Sequence, residues 1–306
     1  MGSPVFLSDI PTQLQETLDN IVMDKTDGVE SSSDMAKYFN VESMKGDAYI
    51  DELEVADEGL VPEKGEGQPM QVKGLREGYF VRYTARAFAR KMIISREAMD
   101  DGKYKKVTKL SKYNKRQIWQ TVDYDAANVL IRAENASYVG GDGQPLASNA
   151  HTLAWGGSYS NKMATPMSPS VGALIVAVSQ LKVMPGHDGN IQGYQPKKLV
   201  HPSNQWGAWA AILKSEMRPD AGNFAEINVV KSEYNIKPVE VRHWITASPE
   251  WAILTDAEDG LKWLWHTRPE PNSWVDNDNM VVNHGIYARW ARGWTDARGV
   301  FYNGTS

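Results

Sequence analysis

Residues 47–90 are patterned as a β-hairpin too long to bury itself, and this constrains the chain more than any other feature. Tyr49, Leu53 and Val55 fall on one face of an outgoing strand, and the return, Val81-Arg82-Tyr83-Thr84-Ala85-Arg86-Ala87, alternates apolar with polar at period two. Between them, Asp57-Glu58-Gly59-Leu60-Val61-Pro62-Glu63-Lys64-Gly65-Glu66-Gly67-Gln68-Pro69 combines Gly, Pro and repelling carboxylates that disfavour both helix and regular strand. A lone two-stranded ribbon is marginal in water, so this one needs a partner surface.

A second feature has the opposite sign. Val107, Leu110, Ile118, Val122, Ala126, Val129 and Ala133 recur mostly at spacings of three and four, which predicts one helix over 105–133, about 45 Å long. Its first half carries Lys103, Lys105, Lys106, Lys109, Lys112, Lys115 and Arg116 with no acidic residue before Asp123, the reverse of what the helix dipole prefers. Such a concentration of cations wants an anionic partner. The hairpin region holds Asp47, Asp51, Glu52, Glu54, Asp57, Glu58, Glu63 and Glu66 against the single Lys64.

The chain of 306 residues is long enough for a sizeable core in one large domain or two ordinary ones. With no Cys there is no disulfide framework and no thiolate ligand or nucleophile. The 11 Trp fall mostly between Trp206 and Trp294, where frequent Gly and Pro also point to strands and turns. A net charge of −5 argues against general nucleic-acid affinity. The first eleven residues lack a signal-peptide pattern, and the purest apolar run, Ala173–Val178, is far short of the ~20 residues a bilayer span needs, so neither secretion by that route nor membrane embedding is expected.

Ahead of the hairpin, Ile10, Leu14, Leu18, Ile21 and Val22 have helical spacing and read either as an arm for another surface or as a terminal helix on the chain's own core. Beyond the long helix, 171–184 reads as a helix ended by Pro185-Gly186. A strand at 198–201 leads to Ser203 as N-cap of a helix over 206–216. Strands follow around 227–230, 239–245, 251–254, 261–265, 287–294 and 300–302.

Two distant segments carry a family resemblance. Gly140-Gly141-Asp142-Gly143-Gln144-Pro145-Leu146 runs on through His151 and Gly156-Gly157 to Ser160-Asn161, and Ala288-Arg289-Trp290-Ala291-Arg292-Gly293-Trp294-Thr295-Asp296 closes the chain. With Asp123-Tyr124-Asp125-Ala126-Ala127, Lys197-Lys198-Leu199-Val200-His201-Pro202 and Pro249–Ala257 in that order, the chain resembles the major capsid proteins of tailed bacteriophages, although its first 45 residues match nothing in detail.

The resemblance implies an α+β chain with the Hong Kong 97-like capsid fold. Its parts would be an N-terminal arm (1–45), an extended β-hairpin loop (46–104) across a neighbouring subunit, and a peripheral domain with the spine helix (105–190). An axial domain (191–272) ringing the capsomer axis and peripheral closing strands (273–306) would complete it. It also implies self-assembly into pentamers and hexamers of an icosahedral head around double-stranded DNA, in the host cytoplasm and then the virion, without catalysis or cofactor. A portal and a decoration protein are implied partners. No scaffolding segment is seen ahead of the arm, so a separate scaffolding protein is expected. The interface set is Asp51, Glu52, Glu54, Asp57, Glu58, Glu63, Lys64 and Glu66 against Lys105, Lys106, Lys109, Lys112 and Arg116 of an adjacent subunit. Packaged DNA, bound without sequence specificity, is the other candidate partner for these cations, and a merely solvated helix face is the plain alternative. Some relatives crosslink a loop Lys to a neighbour's Asn; Lys64 and Lys73 are so placed, but crosslinking is not expected.

No chemistry competes with this reading. The six His are scattered, with no pair at i and i+4. His151 reads as holding the turn after Asp142-Gly143, or as an ordinary exposed His. Asp123 and Asp125, two apart, point to different sides of a helix and cannot form a catalytic pair. Asp276-Asn277-Asp278-Asn279 begins like a calcium loop, but Met280 stands where an oxygen ligand is needed. No Gly-x-Ser-x-Gly elbow or phosphate loop is present. Trp206 with Trp209, and Trp263 with Trp265, suggest either a stacking platform or core and interface packing, of which packing is favoured. An encapsulin-like compartment and a monomeric Trp-rich carbohydrate-binding module are the alternatives.

Overall fold

A computed structural model describes residues 9–56, 59–70, 72, 76–95, 97, 98, 101, 104–154, 156–219, 226–246, 249–276, 278, 279 and 281–304. Helix α1 (Asp9–Met23) places Leu14, Leu18 and Val22 inward, against Ile94, Val107 and Val282 in the case of the first two. It is a terminal helix on the chain's own core, the second of the two sequence readings. A short helix α2 (Met35–Tyr38) and strand β1 (Asn40–Ser43) lead to the hairpin, β2 (Tyr49–Ala56) with β3 (Arg76–Thr84).

The return strand does not run straight to Arg90 as the alternation suggests. It breaks at Ala85, and β4 (Arg86–Ser95) leaves the ribbon to pair with a strand near the C-terminus. The long helix forms as α3 (Tyr104–Ile131), 28 residues or about 42 Å. Its Ile118, Val122, Ala126 and Val129 are buried, whereas Leu110 is exposed.

Strands β5 (His151–Thr152) and β6 (Ser158–Tyr159) form a small ribbon. Helix α4 (Val171–Lys182) is capped by Ser170, which accepts from Ala173 N at 3.0 Å. After β7 (Pro196–Pro202), Ser203 opens a short 3-10 turn and makes no side-chain cap, so α5 (Trp206–Lys214) starts one turn later than a capping Ser would set it. The strand expected near 227–230 is instead helix α6 (Val229–Glu233), because the Asn228 side chain caps Lys231 N. Then come β8 (Lys237–Val241) and β9 (Trp251–Thr255).

Strands β10 (Leu261–Asp276) and β11 (Val281–Trp294) pair along their whole length and far exceed the short strands read from sequence. Register shifts between Trp265 and Thr267 and between Thr267 and Glu270 carry the chain past Pro269, which has no N–H for a ladder. Strand β12 (Val300–Asn303) ends the described chain.

Two four-stranded sheets result, ordered β1-β10-β11-β4 and β12-β9-β7-β8. Residue 272 lies inside β10, and β12 pairs with β9 in the sheet that also holds β7. Pairing partners so far apart leave no local signal. The sheets meet where the turn before β10 passes the turn before β12: a Cβ on Gly299 would lie 2.3 Å from the Gly260 Cα, so the crossing excludes any larger residue.

The indoles build the main core. Trp263 stacks on Trp290 at 5.5 Å, Trp290 on Phe88 at 3.9 Å, and Trp265 meets Trp119 edge-on at 6.0 Å. Each buried indole removes on the order of 200 Å² from water, roughly 5 kcal/mol by area, which is why these positions pack inward and form no exposed platform. A second core joins α4, α5 and α6 to the β7–β9 sheet through Leu174, Trp209, Val230 and Trp251.

Candidate assembly surface

The hairpin is rooted by carboxylates of β2. Glu52 accepts from Lys262 Nζ at 2.6 Å and from Thr295 Oγ1 at 2.7 Å. Glu54 is buried, with its Oε1 2.5 Å from His187 Nε2 and 3.3 Å from Arg298 Nη1. Higher up, Tyr79 and Thr152 share an exposed hydroxyl bond of 2.7 Å, so the shaft touches the chain's own β5–β6 ribbon. Asp51 takes two bonds from Arg82 on the facing strand, at 2.6 and 2.7 Å, and this guanidinium holds its carboxyl below the usual range.

Glu52 and Glu54 are thus engaged within the chain at the foot of the ribbon, whereas Asp51 stays exposed in its pair with Arg82. The alternation marks a residue's face but not what covers it. Asp57, Glu58 and Lys73 lie outside the described residues. What remains outward is the tip: Leu60, Val61, Met70 and Val72 are 78–97% exposed, and Glu63, Lys64 and Glu66 stand among them in solvent.

Arg298 is the centre of the root. It is 1% exposed, bonds Asp296 Oδ2 at 3.1 Å and Pro185 O at 3.2 Å, and faces the His187 ring at 2.7 and 3.1 Å. Burial alone lowers its basicity, and the Asp296 and Glu54 carboxylates more than reverse this. Glu54, His187 and Asp296 approach within 4.8 Å, close enough to hold a metal ion. The guanidinium bonds to all three and already supplies the charge such an ion would bring. An acidic cleft of about 360 Å³ opens beside it, lined by Asp256, Glu258 and Asp259 among others.

The Arg298 guanidinium also lies 4.8 Å over the Tyr159 ring, and Tyr159 stacks on His151 at 5.1 Å. The root cluster therefore touches the Asp-Gly turn. Gly143 has φ +74°, and Asp142 Oδ1 accepts from Gln144 N at 3.1 Å. The buried His151 lies 2.6 Å from Asp142 Oδ2 through Nδ1 and 3.1 Å from Asn161 Oδ1 through Nε2. Asn161 ties this turn to the end of the chain: its Nδ2 donates to Leu146 O at 2.6 Å, Ala297 O at 3.0 Å and Val300 O at 3.1 Å. Its role was not legible beyond its place in the motif, because two of those carbonyls lie far along the chain.

Asp123 and Asp125 do leave α3 on different sides. Asp123 Oδ1 accepts from Ser33 Oγ at 2.6 Å and Asp34 N at 2.9 Å, and Arg242 Nε reaches Asp34 Oδ2 at 2.6 Å. Burial raises the Asp34 carboxyl, but Arg242 and Lys37 outweigh it and leave it below its usual range. Asp125 receives Trp290 Nε1 at 2.9 Å and Arg292 Nη2 at 2.5 Å.

Along the outer face of α3, Lys105, Lys109, Lys112 and Arg116 follow one another at steps of four, three and four and form a straight exposed row. No described carboxylate pairs with them. The side chain of Lys106 lies outside the described residues. Lys115 is the exception among these cations: it turns inward, 2.9 Å from Asp27 Oδ2. Within one chain, no ion pair joins the hairpin carboxylates to this row among the described residues.

No described helix is long and apolar enough to cross a membrane. A family model described as phage capsid protein matches residues 79–303, from the return strand of the hairpin to β12. No curated protein matches by sequence. Among solved structures, the chain is similar to that of Mycobacterium phage Adephagia, with a TM-score of 0.57 and 13% identity, covering 99% of each chain. It is similar to a virus-like particle from Pyrococcus furiosus at TM-score 0.56 and 12% identity, covering 94% of this chain and 98% of that one. The capsid of Myoviridae phage XM1 matches at 0.52 and 12%, over 89% and 91%. These likenesses show the Hong Kong 97-like fold.

Proposed function

The chain belongs to the phage capsid protein family, and from that premise we propose that it is the major subunit of a phage head, closing as pentamers and hexamers into an icosahedral shell around double-stranded DNA. One observation carries the reading: the family model runs from the hairpin return strand through the long helix and takes in the whole β12-β9-β7-β8 sheet and β4, β10 and β11 of the other. The same model favours a phage head over a compartment of other origin. The subunit acts structurally. Scaffolding, portal and decoration proteins are its partners in the host cytoplasm, and the finished shell is its place in the virion.

The contact proposed between subunits is narrower than the sequence implies. The tip of the hairpin, with Glu63 and Glu66 among uncovered apolar side chains, lies on a neighbour, and the row Lys105, Lys109, Lys112 and Arg116 is the cationic ground it meets. Exposed pairs contribute only ~0–1 kcal/mol each, so this attraction acts mainly on the rate of encounter. The assembly rate, followed by light scattering, is expected to fall several-fold between low and high salt, and a Glu63→Lys, Glu66→Lys variant to assemble slowly at low salt. A salt-independent rate with an unimpaired variant would refute the pairing and leave the row as a solvated face.

A further inference from the structure

His284 is fully buried between Val282 and Ile286 on β11, yet both of its ring nitrogens are engaged, and through them it joins four elements. Its Nε2 is 3.1 Å from Ser111 Oγ of α3. Its Nδ1 is 2.7 Å from Ser273 Oγ of β10, which in turn donates to Asp19 Oδ1 of α1 at 2.6 Å. Ser111 Oγ also lies 3.4 Å from Leu18 O, so both ends of this relay finish on α1.

The bonds fix where the proton sits. Ser273 gives its one hydrogen to Asp19, so its oxygen can only accept from the ring, and Nδ1 carries the proton. Nε2 is then the acceptor and Ser111 its donor. The order is that of a hydrolytic relay, but Ser111 and His284 are sealed from solvent and the carboxylate holds Ser273 more closely than the ring, so the arrangement fastens and does not catalyse.

A second proton on the ring would place a full charge beside the apolar cluster of Leu18, Val107 and Val282. Asp19 is the one described carboxylate facing it, 3.5 Å from Nδ1, and is itself partly exposed. The flanking elements bring only cations with partners of their own: Arg90 of β4, opposite Ile286, donates to Gln117, and Lys115, one turn along α3 from Ser111, pairs with Asp27. Burial accordingly lowers the basicity of His284, and Asp19 recovers only part of it.

We propose that the relay from Asp19 through Ser273 and His284 to Ser111 is an acid-sensitive latch on α1. With the ring neutral it holds the helix on the sheet; protonation lets the helix lift so that water reaches the charge. An undocked chain takes up the proton below about pH 6.5 while the docked one resists it, so docking is at full strength above that pH and weakens as pH falls below it. The latch lies within one chain and does not depend on the capsid reading.

Hydrogen–deuterium exchange on the purified chain, corrected for the intrinsic pH dependence of exchange, reads the docking of α1 directly. Protection of the amides from Leu14 to Met23 is expected to fall several-fold between about pH 7.5 and about pH 5.5, and by no more than about tenfold per pH unit, because one proton is involved. His284→Asn keeps an N–H toward Ser273 but cannot titrate, so its protection should stay flat over the same range. Asp19→Asn still accepts from Ser273 but removes the counter-charge, so its protection should fall further than the parent's. Parent protection that does not change with pH, or a fall that His284→Asn shares, would overturn the latch. Should His284→Asn not fold, a fall in Asp19→Asn no deeper than the parent's would overturn it instead.

Discussion

Arg298→Met is expected to be the most damaging single change in the molecule. It leaves the Glu54 and Asp296 carboxylates buried beside each other with no cation between them, and removing one partner of such a cluster costs about 3–5 kcal/mol. Urea unfolding of the purified subunit, followed by tryptophan emission, should show a much lower midpoint, and the hairpin should become protease-sensitive as its root opens. Combining Arg298→Met with Glu54→Gln and Asp296→Asn should recover much of the loss, because no net charge is then left uncompensated. An unchanged midpoint in the single variant would mean that the cluster does not root the hairpin.

Asn161→Ala comes second. It strips the two N–H donors shared among three buried carbonyls, Leu146 O, Ala297 O and Val300 O, and the acceptor from Ser148 N at 3.0 Å. An unmade bond to a buried group costs ~1–3 kcal/mol, so the sum reaches at least about 3 kcal/mol even if water reaches some of them. Asn161→Asp is the sharper probe. It changes little in volume but turns an oxygen toward three carbonyl oxygens, and the same unfolding experiment should find it at least as unstable as Asn161→Ala. If the Asp variant were as stable as the parent, Asn161 would not be the link between the Asp-Gly turn and the closing strand.

What could be read from the sequence was local. The spacing of Val107, Ile118, Val122, Ala126 and Val129 predicts α3 to within two residues at each end, and the alternation around Tyr83 predicts the hairpin. The fold class and family were readable through the order of motifs such as Gly140-Gly141-Asp142-Gly143. What could not be read was pairing at a distance. Pro269 and Pro271 make β10 look short, yet its partner β11 continues the ladder past them. Glu52 and Glu54 look like surface charges in an acidic hairpin until Lys262 and Arg298, more than 200 residues away, are brought to them. Lys115 looks like one more cation of the helix, but its position on α3 faces the segment that follows α1. The surface charges left after these internal pairs are fewer and better placed than composition suggests, and they are the ones an assembly contact can use.

Whether this chain builds a shell is read by light scattering combined with negative-stain microscopy on the chain expressed alone and then with a candidate scaffolding protein. Capsomers and closed shells are the predicted result. A monomer at every concentration, with and without scaffold, would contradict it.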